Sequence, residues 1–361
     1  MNRRGFLKNS LAVTCLSALP PSAFALTDSL TAPGWRDFEV VSRIEILEAD
    51  GPAQAWLPLP SVDAPDWVRN GGNTWSGNAT RVTIVRDPQY GAEILRVEWD
   101  TVAQPVIEVA SRVSTRDRPT DFSGDWAPAS LDDRQRRLYT AGTALIPIDG
   151  IVRETATGIV KHARDDEQQA RAIYDWIVEN TARNPKTRGC GLGDIRFMLE
   201  SGDLTGKCAD LNALYVGLCR SIGLPARDVY GVRVAESRLG YKSLGRKGDV
   251  SKAQHCRAEV WLDRFGWVPV DPADVRKVIL EEKPGLSLDD PLVREVRARL
   301  FGYWEMNWMP YNTAHDVELP GSRFEAPAFL MYPQAEIAGR RLDSLDAERF
   351  RYALTAREVE A

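Results

Sequence analysis

The stretch Thr205-Gly206-Lys207-Cys208-Ala209-Asp210-Leu211-Asn212-Ala213-Leu214-Tyr215-Val216-Gly217-Leu218-Cys219-Arg220-Ser221-Ile222-Gly223-Leu224-Pro225-Ala226-Arg227 decides how the chain folds. From Leu211 its large apolar residues fall at 211, 214, 215, 218 and 222, one stripe along a single helix. Ala209, Ala213, Val216 and Gly217 leave little polar surface on the other faces, so the helix is expected to be buried nearly all round. Gly223 and Pro225 end it. Cys208 lies one turn before Leu211 on the same stripe, with Thr205 or Gly206 expected as N-cap. Unpaired backbone N–H groups and the positive end of the helix dipole favour thiolate there, and the thiolate is the nucleophile. A buried structural cysteine is the competing reading on residue statistics alone.

The downstream sequence weighs against that alternative. Gln254-His255-Cys256-Arg257-Ala258-Glu259-Val260-Trp261-Leu262 alternates like a strand, and Gly266-Trp267-Val268-Pro269-Val270-Asp271 follows as the second arm of a hairpin. A three-residue turn over Leu262 to Arg264, centred on Asp263, would set His255 directly across from Asp271. A four-residue turn over Asp263 to Gly266 would pair Leu262 with Trp267 and part the two by three positions; the shorter turn is preferred. A nucleophile at a helix start, a base at a strand start and a carboxylate on the next strand are what cysteine acyl-transfer chemistry needs.

Three motifs carry a resemblance. Gly206-Lys207-Cys208, then Leu218-Cys219-Arg220-Ser221-Ile222-Gly223-Leu224-Pro225-Ala226-Arg227, then His255 with Gly266-Trp267-Val268-Pro269-Val270-Asp271-Pro272 resemble the core pattern of the transglutaminase-like superfamily, over roughly residues 150 to 275. The resemblance implies a papain-like core with a Cys-His-Asp triad, carried here by Cys208, His255 and Asp271. It also implies an oxyanion donor upstream of the nucleophile beside the Cys208 N–H, for which no side chain here is a match.

The expected fold class is α+β. A central cysteine helix packs on an antiparallel sheet, preceded by a small N-terminal β-sandwich-like domain. A signal peptide occupies residues 1–25, the β-rich domain 26–115, a linker 116–130 and the catalytic domain 131–361, with core motifs in 184–275. Arg3-Arg4-Gly5-Phe6-Leu7-Lys8, a short apolar run from Leu11 to Leu19 and Ala23-Phe24-Ala25 read as a twin-arginine export signal cleaved after Ala25. That run of about ten residues is half of what a membrane span takes, and no stable membrane insertion is expected. The predicted location is periplasmic or secreted.

The net charge is −5, and three units more negative without the first 25 residues, which hold Arg3, Arg4 and Lys8 and no acid. Nucleic acid is therefore excluded as a partner. Cys190, Cys208, Cys219 and Cys256 remain after cleavage. A nucleophile must stay free, so at most one disulfide fits, and Cys190 with Cys256 is the pair to test. Cys219, on the buried stripe, is expected to be inert.

Between residues 36 and 115, strands are expected over Phe38–Leu47, Gln54–Pro60, Arg81–Arg86, Glu93–Trp99 and Pro105–Ser114, with Asn70–Asn73 and Ser76–Asn78 as gaps. Trp56-Leu57-Pro58-Leu59-Pro60 reads as a proline-blunted edge strand. Helices are expected over Ile151–His162, Glu167–Asn180 (capped by Asp165-Asp166, with Ile173, Trp176 and Ile177 buried) and Asp289–Leu300, and strands over Phe301–Tyr311 and Ala328–Tyr332. The Gly189–Asp194 loop is placed at the substrate cleft. Arg238, Lys242, Arg246 and Lys247 belong either to a solvated loop or to a cleft wall that receives an anionic substrate, the solvated loop being favoured. His315 and Asp316, adjacent on one strand, point opposite ways and make no second dyad.

The function expected is an exported thiol acyl-transfer enzyme acting on carboxamide or peptide bonds through an acyl-thioester, as a transferase or as a peptidase or amidase. Its partner is a protein or peptide, a cell-wall peptide included, and no cofactor is called for. The alternatives are a catalytically silent peptide- or cell-wall-binding module of the same fold, and a zinc site from Cys190, Cys208, His255 and Cys256 that lacks the close cysteine spacing such sites use.

Overall fold

A computed structural model describes residues 34–47, 49–124, 130–346 and 348–359. The proposed export signal lies outside the described residues.

Two antiparallel sheets of five strands each bury a common apolar interior that includes Ile44, Leu57, Leu95, Trp99, Ile107 and Phe350. The first orders Gly248–Asp249, Phe350–Val359, Trp35–Ile46, Val106–Arg116 and Val68–Gly77. The second orders Arg340–Arg341, Gln334–Ile337, Ala53–Pro58, Glu93–Trp99 and Arg81–Arg86. The expected sandwich is present, but residues 26–115 do not complete it. The strands 334–337 and 350–359, assigned from sequence to the catalytic unit, pair with the first strands of the chain, Val40 against Ala356 and Ala55 against Ala335. Each of those early strands has a second open edge, and the end of the chain covers it.

Two local expectations fail. Ala53–Pro58 is an interior strand, because the ladder to Gln334–Ile337 stops at Trp56 and so never asks the Pro58 nitrogen for a hydrogen bond. Asn70–Asn73 is no gap but a bulge within Val68–Gly77, where the register shifts between Asn70 and Asn73 and Gly72 takes φ 92°.

The second unit is the expected cysteine helix, Cys208–Ser221, laid on a four-stranded antiparallel sheet ordered Gly266–Val270, Gln254–Leu262, Ala226–Arg233 and Trp308–Asn312. All 14 residues of the helix are buried. Gly217 is what lets a neighbour close on it: a Cβ there would stand 2.1 Å from Ile195 Cδ1. Helices Gly150–Val160, Asp166–Asn180 and Pro272–Glu281 pack around it. Asp165 caps the second of these through the Gln168 N–H, as the sequence implies, and Ile173 and Ile177 are buried while Trp176 is only half so. The helix expected at 289–300 spans Pro291–Arg299.

Asp133–Thr140, Ile195–Ser201 and Pro272–Glu281 are helices that the periodicity did not suggest. The aromatic run 301–311 divides into Tyr303–Trp304 and the strand Trp308–Asn312. Residues 328–332 form no strand, only a single bridge from Phe329 to His315. In the expected linker, Arg118–Pro119 pairs with Tyr303–Trp304, and 125–129 lie outside the described residues.

Candidate active site

Cys208 opens its helix with Lys207, not Thr205 or Gly206, in the N-cap position. What fixes that start is Asp210, whose carboxylate accepts the Lys207 N–H at 2.9 Å and also the Leu192 and Gly193 N–H groups at 2.9 and 3.0 Å. The same side chain thus ties the 189–194 loop to the helix. Gly191, at φ 98°, leaves room for it, since a Cβ there would stand 1.9 Å from Asp210 Oδ2. The Cys190 carbonyl accepts the Ala209 N–H at 2.9 Å, so Cys190 lies beside the helix start.

His255 is held from the side of its strand that faces Ala226–Arg233 and Trp308–Asn312. Its backbone pairs with Gly231, and its carbonyl accepts the Trp308 indole N–H at 2.9 Å. The hairpin that follows uses neither expected turn. Leu262 pairs with Gly266 and Trp261 with Trp267, so the turn is Asp263–Phe265, centred on Arg264. Relative to the preferred reading the register moves by two residues, which places Asp271 diagonal to His255 instead of opposite. An even shift keeps both side chains on one face. His255 Nε2 and Asp271 Oδ2 are accordingly 2.7 Å apart.

Asp271 is held in turn. Its Oδ1 accepts the Asp274 N–H at 3.1 Å, as N-cap of Pro272–Glu281, and the Asn212 side-chain N–H at 3.3 Å. Cys208, His255 and Asp271 are 4, 4 and 0 % exposed. A second carboxylate, missed in the sequence, stands beside the ring: Asp274 Oδ2 is 3.4 Å from His255 Nε2. Asp274 takes both its oxygens to Arg233 Nη2 at 2.6 and 2.7 Å. Arg257 Nε lies 3.7 Å from Asp271 Oδ2, its guanidinium over the Trp308 ring. The signal that could have found Asp274 is Asp271-Pro272-Ala273-Asp274, an N-cap followed by proline and an acid in the first turn.

The electrostatics of this cluster favour an ion pair. Burial and Arg233 push the His255 imidazole down, but Asp274 and Asp271 outweigh them and raise it to about 9. The Cys190 and Cys256 thiols and His255 outweigh burial and hold the Cys208 thiol well below its ordinary value. With Nε2 committed to the carboxylates, Nδ1 is the ring nitrogen left for the sulfur. Cys219, as expected, is the opposite case, with burial raising its thiol to about 12. Among the described residues Cys190 and Cys256 are free thiols, not the disulfide considered from sequence. Both interact with the Cys208 sulfur instead.

His255, Asp271 and Asp274 bring donor atoms within 4.8 Å of one another and are the group among the described residues able to hold a cation. Arg233 and Arg257 already supply positive charge to those carboxylates. The set considered for zinc, Cys190, Cys208, His255 and Cys256, does not converge that tightly among the described residues. His315 is buried 3.5 Å from Asp228, while Asp316 turns away to accept the Ala144 N–H.

Cys208 and His255 line a cleft of about 590 Å³ together with Gly189 and Cys190 of the loop expected there. Lys242, Ser243, Gly245, Arg246, Ser251 and Lys252 form one wall, so the stretch 235–252 is more than a solvated loop. Arg238 and Lys247 face elsewhere, paired with Glu358 and Glu236.

The transglutaminase-like superfamily model matches residues 153–272, which carry Cys208, His255 and Asp271. An uncharacterized protein of Haemophilus influenzae is 33% identical over 379 aligned positions, spanning 98% of this chain and 100% of that one. A candidate cysteine protease from Cytophaga hutchinsonii shares the fold at a TM-score of 0.58, with 12% identity over 91% of this chain and 92% of that one. The periplasmic domain of TgpA from Pseudomonas aeruginosa aligns less closely, at 0.36 with 17% identity over 65% and 74% of the two chains. With a cysteine helix packed on an antiparallel sheet and the family motifs in register upon it, residues 153–272 form a transglutaminase-like superfamily domain.

Proposed function

We propose that the protein is a thiol acyl-transfer enzyme acting on carboxamide or peptide bonds of a protein or peptide, with Cys208 as nucleophile, His255 as acid–base and Asp271 as the group that orients the ring. The Cys208 thiolate adds to the carbonyl carbon. The oxyanion is met by the Cys208 backbone N–H at the positive end of the helix. As the C–N bond breaks, the His255 imidazolium gives its proton to the leaving amine, and an acyl-thioester remains on the sulfur. Asp271 holds Nε2 and stabilises the imidazolium. The acyl group then passes to an amine or to water, with His255 taking a proton from whichever attacks.

The observation that carries this reading is the 2.7 Å contact between His255 and Asp271, beside a thiol held low and an imidazole held high. The twin arginines of Asn2-Arg3-Arg4 and the short apolar run behind them support an exported enzyme working in the cell envelope. No helix among the described residues is long and apolar enough to cross a membrane.

The test is an acid-quenched reaction with a periplasmic peptide extract, read by intact mass. The wild type should carry a hydroxylamine-labile adduct on Cys208 that Cys208→Ala lacks, and export should fail in Arg3→Lys/Arg4→Lys. Turnover that survives Cys208→Ala would overturn the proposal.

A further inference from the structure

The cleft differs in charge from the protein around it. The chain holds 51 acidic and 46 basic residues, yet the walls beside Cys208 present eight cationic side chains and one carboxylate, Glu281. Four of the cations are committed: Arg183 and Lys277 share Glu281, Arg188 meets Asp343, and Arg233 is bound to Asp274. The other four, Lys207, Lys242, Arg246 and Lys252, have no ion pair within 4.0 Å among the described residues.

The neighbouring carboxylates do not enter the cleft to neutralise them. Asp249 feels Arg246 and Lys252 but caps the Ser251 N–H, and Glu282 feels Lys242 but accepts the Lys242 and Ser243 backbone N–H groups; neither lines the walls. Lys207 immediately precedes the nucleophile, and Lys242, Arg246 and Lys252 line the same cleft. A second feature points the same way. Gln254, 8 % exposed and part of the lining, leaves its Nε2 donor without a well-formed hydrogen bond among the described residues, with the Tyr352 hydroxyl alongside. A buried N–H donor left open in a cationic cleft fits an oxygen acceptor carrying negative charge.

Given Cys208 as the nucleophile, we infer that this cleft takes an acyl donor with one or more carboxylates beside the bond to be broken, and turns away protonated amines. The same field that concentrates the donor lowers the local concentration of any lysine-like acceptor. Water therefore opens the thioester: its oxygen bonds to the acyl carbon, His255 takes one proton, and the C–S bond breaks. The acyl group leaves as a carboxylate, its remaining proton passing to solvent. The enzyme is thus a hydrolase of acidic peptides rather than a cross-linker.

Three alkylating reagents test the field without knowledge of the substrate: iodoacetate, iodoacetamide and (2-bromoethyl)trimethylammonium, of charge −1, 0 and +1. Rates at Cys208 are taken for the wild type and for Lys242→Glu/Arg246→Glu, each relative to a free cysteine derivative. Both substitutions are at exposed positions, and the iodoacetamide rate serves as the control for folding and for the triad. His255 contributes equally in both proteins, so the comparison isolates the wall charges. The iodoacetate-to-iodoacetamide ratio should fall roughly three- to tenfold in the double variant at low salt, and the cationic reagent should gain by a like factor. High salt should bring the two proteins together. The double variant should also incorporate more labelled cadaverine than the wild type. Reagent ratios equal in the two proteins, or equal amine incorporation, would overturn the inference. Failure of iodoacetamide to outpace its rate on a free thiol at pH 6 would instead count against Cys208 as nucleophile, while the ratios would still report the charge of the cleft.

Discussion

The sandwich and the cysteine core handle charge in opposite ways. On the outer face of the sandwich, Glu39 meets Arg357 at 2.6 Å and Arg112 at 3.1 Å, with both arginines more than half exposed. The inner face is apolar. In the core, Arg233, Arg257, Glu259, Asp271 and Asp274 are all buried. Glu259 alone is held by Arg118 and Arg227. Exposed pairs across strands are decoration that can be exchanged, whereas a buried charge survives only while its partner stays in place. The core has accepted that cost where it fixes one imidazole between two carboxylates.

The sharpest way to break this contrast is Asp271→Asn. The ring loses the charge that stabilises its imidazolium, and turnover should drop about a hundred- to ten-thousandfold, measured on the same peptides that acylate the wild type. Stability loss alone, with turnover kept in the folded fraction, would remove Asp271 from the proposed machinery. Next comes Arg233→Ala, which strands Asp274 without its cation and should cost about 3–5 kcal/mol in denaturant unfolding. Arg233→Met/Asp274→Leu, which removes both charges, should recover part of that loss. At the other end, Arg357→Ala on the sandwich should cost about 0.2–1 kcal/mol and less at high salt. A cost there equal to that of Arg233→Ala would erase the distinction.

The cysteine helix and the strand Gln254–Leu262 were legible because residue type is periodic along them: the apolar stripe from Leu211 to Ile222 and the alternation from Gln254 to Leu262 need no distant information, though both elements are buried along their whole length. The hairpin was legible to within a two-residue slip. Its face was right because the slip was even, while the turn itself depends on Gly266 taking φ 71°, which spacing alone does not announce. Asp274 and Arg233 could not be paired from sequence, since they lie 41 positions apart, Arg233 at the end of a strand and Asp274 on a helix that was not foreseen. Nor could residues 350–359 be sent back to the first strand, because an alternating segment says which face is buried but not whose edge it joins. The charge of the 242–252 wall was visible, but its orientation toward the cleft was not.

The ionisation of the Cys208–His255 pair is the claim on which the rest depends, and the pH dependence of Cys208 alkylation by iodoacetamide measures it most directly. The sulfur is reactive only as thiolate, and its pKa is held down, so thiolate persists below the ordinary thiol range. The rate should stay high from pH 8 down to pH 6, where a free thiol slows about tenfold per unit below its pKa of about 8.5. It should change again near pH 9 as His255 gives up its proton. Cys219, raised to about 12, should stay unlabelled throughout. A single titration at the free-thiol value, with no inflection near pH 9, would contradict the account.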